Sequence, residues 1–470
     1  MLVLLAPPLV AALTPSGLAG APAPGWRELV LLARSLALAG LTTALSLGVG
    51  VACAWALAHH NLPGRAFFKT VLLVPFLLPP YLSAIAWTGL VDLSGSLPAA
   101  ALVLAASHFP LVMFPILAGL ERLGGGLEEA GWIALGPGRT WRRVVWPLVL
   151  PFALGGAALV WMLTLVEYGV PSLLGVDTFA LEVFALIQGY HDYGAAGRAC
   201  LPLLAIGLLP GLLVLAWGYP RMRRLTVPQT SRPARRLLWP RWPALALVSL
   251  VTLASLAVPL YSLVAQAHRP GVFNLALWEA GSDLLSSLWI AGLATALALA
   301  LGALVGLGGG TGWAGTALLS LTVPPSLAAL GLVAIHSQLG LGSSNLWLVW
   351  GLATRLLALP ACLLALSAEA TPPSQLAAAR LVLPPLRLGG LWLGLHQKAW
   401  QTALWLTFAL AMGDLSLSLL LAEPGTSTLS LRIFNLYHYG RPDLVGALCL
   451  VLVGVVVTPL AVGLCLEKSR

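Results

Sequence analysis

The chain is 470 residues long, 59% hydrophobic and only 9% charged. About a quarter of the residues of a soluble domain are charged, so this composition excludes a soluble globular fold and makes lipid the solvent. The formal net charge of +9 then reads as loop charge set by membrane topology rather than as a nucleic-acid footprint, and 18 tryptophans suit anchoring at a membrane interface.

The expected elements follow in order. Met1 to Leu13 is apolar but about half a span long, and it lacks the basic start of a signal peptide; we read it as a short or truncated first helix. Further helices are expected over Leu36 to Ala58, Phe67 to Leu90 (interrupted by Pro75, Pro79 and Pro80), Ala99 to Leu120, Leu148 to Val170 and Ala199 to Trp217. Between the fourth and fifth lies a polar, arginine-rich island over 127–151. Glu128 and Glu129 open it, Gly136, Pro137 and Gly138 break it, and Arg139, Arg142 and Arg143 follow. Two short helices on the membrane surface are expected there.

The segment 221–242 carries seven arginines and no acid, and reads as a basic cytoplasmic linker rather than a nucleic-acid site. It divides the chain into a first half (1–220) and a second half (243–470). Helices of the second half are expected over Ala244 to Val264, Leu284 to Leu307, Ala317 to His336, Leu346 to Leu366, Thr402 to Leu421 and Val445 to Leu466, with a second loop over 370–398 where the first half has its island. The run from Ser35 to Leu45 matches that from Ser287 to Leu297 at eight of eleven positions. Pro79-Pro80 corresponds to Pro324-Pro325, and Glu167 before Ser172 corresponds to Asp414 before Ser418. One half therefore duplicates the other. The expected fold is an all-α membrane protein of about 12 spans, as two parallel six-helix repeats about an axis along the membrane normal. Most Lys and Arg then lie inside; Arg27, Arg34, Arg198, Arg269, Arg432 and Arg441 lie outside. That asymmetry puts both termini in the cytoplasm.

No phosphate-cradling GxxxxGK[ST], HExxH, GxSxG or paired-cysteine pattern occurs, so no enzyme, cofactor or metal site is expected in this chain. Transport driven by ATP would need the ATPase on another protein.

The island Glu128-Glu129-Ala130, with Val144, Trp146 and Pro147 downstream, resembles the EAA loop of ABC-importer permeases. It departs from the family's pattern at Glu129, at Ala134 in the glycine position (the glycine is Gly136) and at Trp146 in place of leucine. At the same spacing the second half has Ala377, Ala378 and Ala379, then Leu383, Leu393, Leu395 and His396, without the glutamate, glycine or proline. The resemblance implies a type I ABC-importer permease fold in a bacterial inner membrane. It also implies coupling loops that dock on a dimer of ATP-binding cassette subunits, and a periplasmic solute-binding protein outside. Glu128, Glu129, Ala130, Gly136, Arg139, Pro147 and Ala377 to Ala379 would form the coupling loops, the first contributing more. The runs after Glu167 and Asp414, and Asn435-Leu436-Tyr437-His438-Tyr439-Gly440, resemble the fused permeases of ferric-iron importers; thiamine, aminophosphonate and polyamine permeases are similar in appearance.

Acids at membrane depth are costly and tend to face a bundle interior or water. Glu167 and Asp414, with His108 and Arg355 at equivalent places of helices four and ten, are therefore candidates for the translocation path, against local capping or pairing. Tyr190, His191, Asp192, Tyr437 and His438 are expected in outer loops as binding-protein contacts, against ordinary interfacial residues. The broken helices at the proline pairs would line a cavity and bend, or kink for packing alone. A secondary transporter with a parallel repeat, driven by protons or sodium, is the alternative; it leaves the paired islands without a role. A non-transporting scaffold would need no interior acids.

Overall fold

The computed structural model describes residues 25–123, 125–221, 241–338, 340, 344–369, 371, 394–423 and 425–468. Among them the regular structure is helical, with no strand. In chain order the helices are α1 Trp26–His59, α2 Arg65–Val71, α3 Val74–Leu77, α4 Pro80–Thr88, α5 Leu97–His108, α6 Pro110–Arg122, α7 Gly125–Leu135, α8 Pro137–Thr140, α9 Trp146–Leu165, α10 Gly169–Leu174 and α11 Phe179–Gln188. They continue as α12 Tyr193–Leu213, α13 Arg241–Thr252, α14 Val258–Gln266, α15 Val272–Ala317, α16 Pro325–Gln338, α17 Asn345–Leu356, α18 Ala358–Glu369, α19 Gln397–Met412, α20 Ser416–Leu421, α21 Leu429–His438 and α22 Pro442–Lys468.

Six helices among the described residues are long and apolar enough to cross a membrane, or nine if each bent pair is one span. The twelve expected spans are thus not all met. The expected first helix lies outside the described residues. The eleventh is split into α19 and α20, because the chain leaves the helix at Gly413 and Asp414. The expected breaks at the proline pairs are present: Arg65–Leu77 meets Pro80–Thr88 at 90°, and Gly312–Thr322 meets Pro325–His336 at 91°. Proline removes a backbone donor and forces the preceding residue out of helical geometry, so each pair ends one helix and starts the next.

The described residues cluster into two compact units. One gathers those within Leu9–Ala276 and Leu436–Leu450; the other gathers those within Leu277–Asn435 and Val451–Arg470. Nearly all of the basic linker lies outside the described residues. Helices α13 and α14, which follow it in sequence, cluster with the first unit rather than with the rest of the second half. The reason is local: Ser262 Oγ donates to the carbonyl of Ala86 at 2.5 Å, and Gln266 Nε2 donates to that of Ile85 at 3.4 Å.

In the first unit α1, α6 and α9 form the core, with Cys53, Leu57, Val112, Met113, Ile116, Val149 and Val160 buried together. Buried cysteines here pack as small apolar groups, as expected. In the second unit Ile290, Ala294, Ala329, Leu348, Leu352 and Leu417, from α15, α16, α17 and α20, are buried together.

Both units fasten a short outer helix to the long helix by the same device. Ser35 Oγ on α1 accepts the N–H of Phe179 at the start of α11 (2.8 Å), and Ser287 Oγ on α15 accepts the N–H of Leu429 at the start of α21 (2.7 Å). The first N–H groups of a helix have no partner within it, and in a buried setting a side-chain oxygen must supply one. The accompanying ion pairs are reversed in sign. Arg27 on α1 bonds Glu182 on α11 at 2.9 Å, whereas Glu279 and Asp283 on α15 face Arg432 on α21 at 3.8 and 3.7 Å.

Candidate functional site

The arginine-rich island folds as the expected pair of short helices. Helix α7 ends at Leu135, Gly136 turns the chain with φ 74°, and α8 leads through a π-helical turn, Trp141–Val145, into α9. A positive φ is strained for residues with a Cβ, so Gly136 suits this turn. The two arms close tightly: a Cβ on Gly131 would sit 2.5 Å from Cγ2 of the buried Thr140, whose hydroxyl donates to the carbonyl of Gly136 at 2.8 Å. The glycine that packs the hairpin is thus Gly131, a position the spacing of the island did not single out.

The two glutamates at the head of α7 have opposite fates. Glu129 is exposed, as are Ala130, Arg139 and Pro147. Glu128, expected in the loop that docks on the ATPase, is buried in this chain: its Oε1 lies 2.8 Å from Nε2 of His59, with side-chain exposures of 9% and 4%. His59 is the last residue of α1. Its Nδ1 lies 3.3 Å from the carbonyl of Trp55, on which its ring stacks, and Trp55 in turn meets Trp141 edge-on. Between this hairpin and α1 lies a cavity of about 1020 Å³, with Ala44, Gly48, Trp55, Trp132 and Trp141 among its walls. Arg139, Arg142 and Arg143 form no ion pair among the described residues. The outward face of α7 carries Ile133, which is 89% exposed. Ala377, Ala378 and Ala379 of the second loop lie outside the described residues.

Of the candidates for the translocation path, Arg355 and Asp414 lie together. In the second unit Arg355 Nη1 on α17 lies 3.8 Å from Asp414 Oδ1, with side-chain exposures of 16% and 14%. Asp414 Oδ2 accepts the N–H of Leu417 (2.8 Å) and of Ser418 (3.4 Å), so it also caps α20. In the first unit α9 stops at Leu165, short of the expected Val170. Glu167 sits in the break and its Oε1 accepts the N–H of Gly169 (3.1 Å) and Val170 (3.4 Å). His108, at the place equivalent to Arg355, is buried, and its Nδ1 has no hydrogen-bond partner among the described residues. An acid capping a restarted helix is thus common to both units, and in the second Arg355 lies beside that acid.

The outer candidates are dispersed. Tyr190 and His191 are exposed, and His191 adopts φ 54°. Asp192 caps α12, accepting the N–H of Ala195 at 2.8 Å. Tyr437 and His438, expected in a loop, instead end helix α21. The Tyr437 hydroxyl donates to Thr88 Oγ1 at 3.3 Å, and its ring meets that of His438 at 81°. Among the described residues no group of three or more His, Cys, Asp or Glu could hold a metal ion.

No protein-family model matches the chain, and no solved structure does. Curated proteins do. The Fe(3+)-transport system permease protein FbpB 2 of Haemophilus influenzae is 28% identical over 181 residues, 38% of this chain and 36% of that protein. The chain thus spans about a third of FbpB 2. The molybdenum transport system permease protein ModB of Escherichia coli K12 is 30% identical over 220 residues, 41% of this chain and 93% of that protein. The inner membrane ABC transporter permease protein YdcU of the same organism is 25% identical over 228 residues, 42% of this chain and 71% of that protein. Two fifths of this chain therefore accounts for nearly all of ModB, and the chain belongs to the family of ABC-importer permeases, the membrane subunits of binding-protein-dependent transport systems.

Proposed function

We propose that this chain is the membrane-spanning subunit of an ATP-driven importer that carries a solute from a periplasmic binding protein across the bacterial inner membrane. Both termini lie in the cytoplasm, and the chain itself catalyses no reaction; ATP is bound and hydrolysed by a dimer of partner subunits. The observation that carries this reading is the hairpin of α7 and α8. It is a compact helical loop between two apolar helices, and it exposes Leu127, Ile133 and Leu135 together with Glu129 and Arg139. Several exposed apolar side chains on one charged loop suit a docking surface better than a solvated turn. Ile133, Glu129 and Arg139 would meet the ATPase. Glu167, Asp414, Arg355 and His108 would border the path, and Tyr190, His191, Asp192, Tyr437 and His438 the binding protein.

Ferric iron is the leading solute, supported by the relative FbpB 2 and by the outer ends of the two halves. A molybdate-like oxyanion is the second reading, supported by the match that covers 93% of ModB. The test is purification of the complex from cells that carry the whole transport system, then uptake of radiolabelled ferric iron and molybdate into vesicles. ATP-dependent uptake of iron alone supports the leading solute; uptake of molybdate alone replaces it. An Ile133→Asp, Glu129→Ala variant should lose the ATPase during purification, and full retention of it would remove the docking role given to this surface.

A further inference from the structure

We propose that His59 is a positioning residue: through Glu128 it clamps the head of the loop helix α7 to the end of the long helix α1, so that a displacement of the loop is delivered to α1. The inference rests on the permease reading and deepens it.

The geometry makes this pair the principal polar link between the two elements. Nδ1 of His59 faces a carbonyl and Nε2 faces a carboxylate, both acceptors. Two acceptors on one imidazole require two ring protons, or one ring proton and one on the carboxyl. Either way the pair is neutral as a unit, which is what lets it be buried. Losing one partner strands the other in a dry site, so the bond is held strongly. Elsewhere the link is thin. The cavity of about 1020 Å³ separates much of α1 from the hairpin, leaving Trp55 against Trp141 as the neighbouring contact. A rigid helix attached at its head moves its anchor when pushed. Glu128 on this reading faces inward to α1, while Glu129 and Ile133 face the ATPase.

The experiment compares His59→Ala, Glu128→Ala and the double variant with wild type in the full complex, reconstituted in nanodiscs. Amide hydrogen exchange over residues 125–135 should rise about tenfold in each single variant and no further in the double, because both remove one bond. The copurified ATPase should be retained, and solute moved per ATP hydrolysed should fall in all three alike. The exchanged pair, H59E with E128H, should restore protection, which separates loss of the bond from general misfolding. Unchanged exchange in the single variants, or effects that add in the double, would overturn the clamp. Loss of the ATPase from Glu128→Ala but not from His59→Ala would overturn it too, by placing Glu128 at the partner. If no ATPase copurifies with wild type, the permease reading falls and the transmission with it, whereas exchange still decides whether the pair holds the loop.

Discussion

The two units keep the same backbone device and differ in the charge placed beside it. Each restarts a short helix after an acid that caps it, Glu167 before α10 and Asp414 before α20. Each hangs its outer helix on a serine of the long helix. In the second a guanidinium, Arg355, lies against the acid; at the equivalent place the first has a buried imidazole, His108, whose Nδ1 has no hydrogen-bond partner among the described residues. Backbone groups in lipid have no water to fall back on, so caps and hydroxyl anchors are forced on both copies. Side-chain charge at depth is not forced, and there the copies are free to diverge.

Asp414→Asn should break this contrast most sharply. It strands Arg355 and should cost about 3 kcal/mol, the lower end for a broken buried pair, whereas Glu167→Gln keeps most of its cap and should cost about 1 kcal/mol. The midpoints of SDS-induced unfolding compare them; equal shifts would show that the guanidinium contributes nothing. Next is the hairpin of the first half. Gly131→Ala drives a methyl into Thr140 and should cost about 2 kcal/mol. Adding Thr140→Ser, which removes the clashing Cγ2 and keeps the hydroxyl, should recover at least half, read from the same unfolding curves. Ser35→Ala and Ser287→Ala sharpen the shared part. Each leaves a buried N–H without its partner and should cost about 1–2 kcal/mol, the two agreeing within about 0.5 kcal/mol. The smallest effect belongs to the outer ion pair: Arg27→Ala should cost under about 1 kcal/mol, because Arg27 is largely exposed and its charge is screened. A larger value would show that this end is drier than its exposure implies.

Much of this architecture was legible in the sequence where the cause is local. Paired prolines ended helices as their chemistry demands, and the polar island became a helical hairpin because its glycines and acids are start and stop signals. Glu167 and Asp414 stood out because an acid in an apolar run needs a reason. What was not legible depends on contacts distant in the chain. His59 reads as the polar end of an apolar span, and nothing near it in sequence names Glu128, 69 residues away. Gly131 looked like one more glycine until Thr140 was folded against it. The ends of the spans were overrun, at Val170 above all, because hydropathy does not register a carboxylate that caps the next helix. Tyr437 and His438 were expected in a loop, whereas the structure continues α21 to His438 and turns at Gly440.

The reversed outer ion pairs have a consequence for how such a chain assembles. A polypeptide that contains the same bundle twice risks docking the outer helix of one copy on the long helix of the other, since the serine anchors are interchangeable. The charges oppose it: α11 misplaced on α15 would bring Glu182 against Glu279 and Asp283, and α21 misplaced on α1 would bring Arg432 against Arg27. Each mismatch meets like charges, and each correct seating meets opposite ones. Beyond any stability they add, these pairs act as an address, favouring the correct seating of two look-alike halves while the chain is still folding.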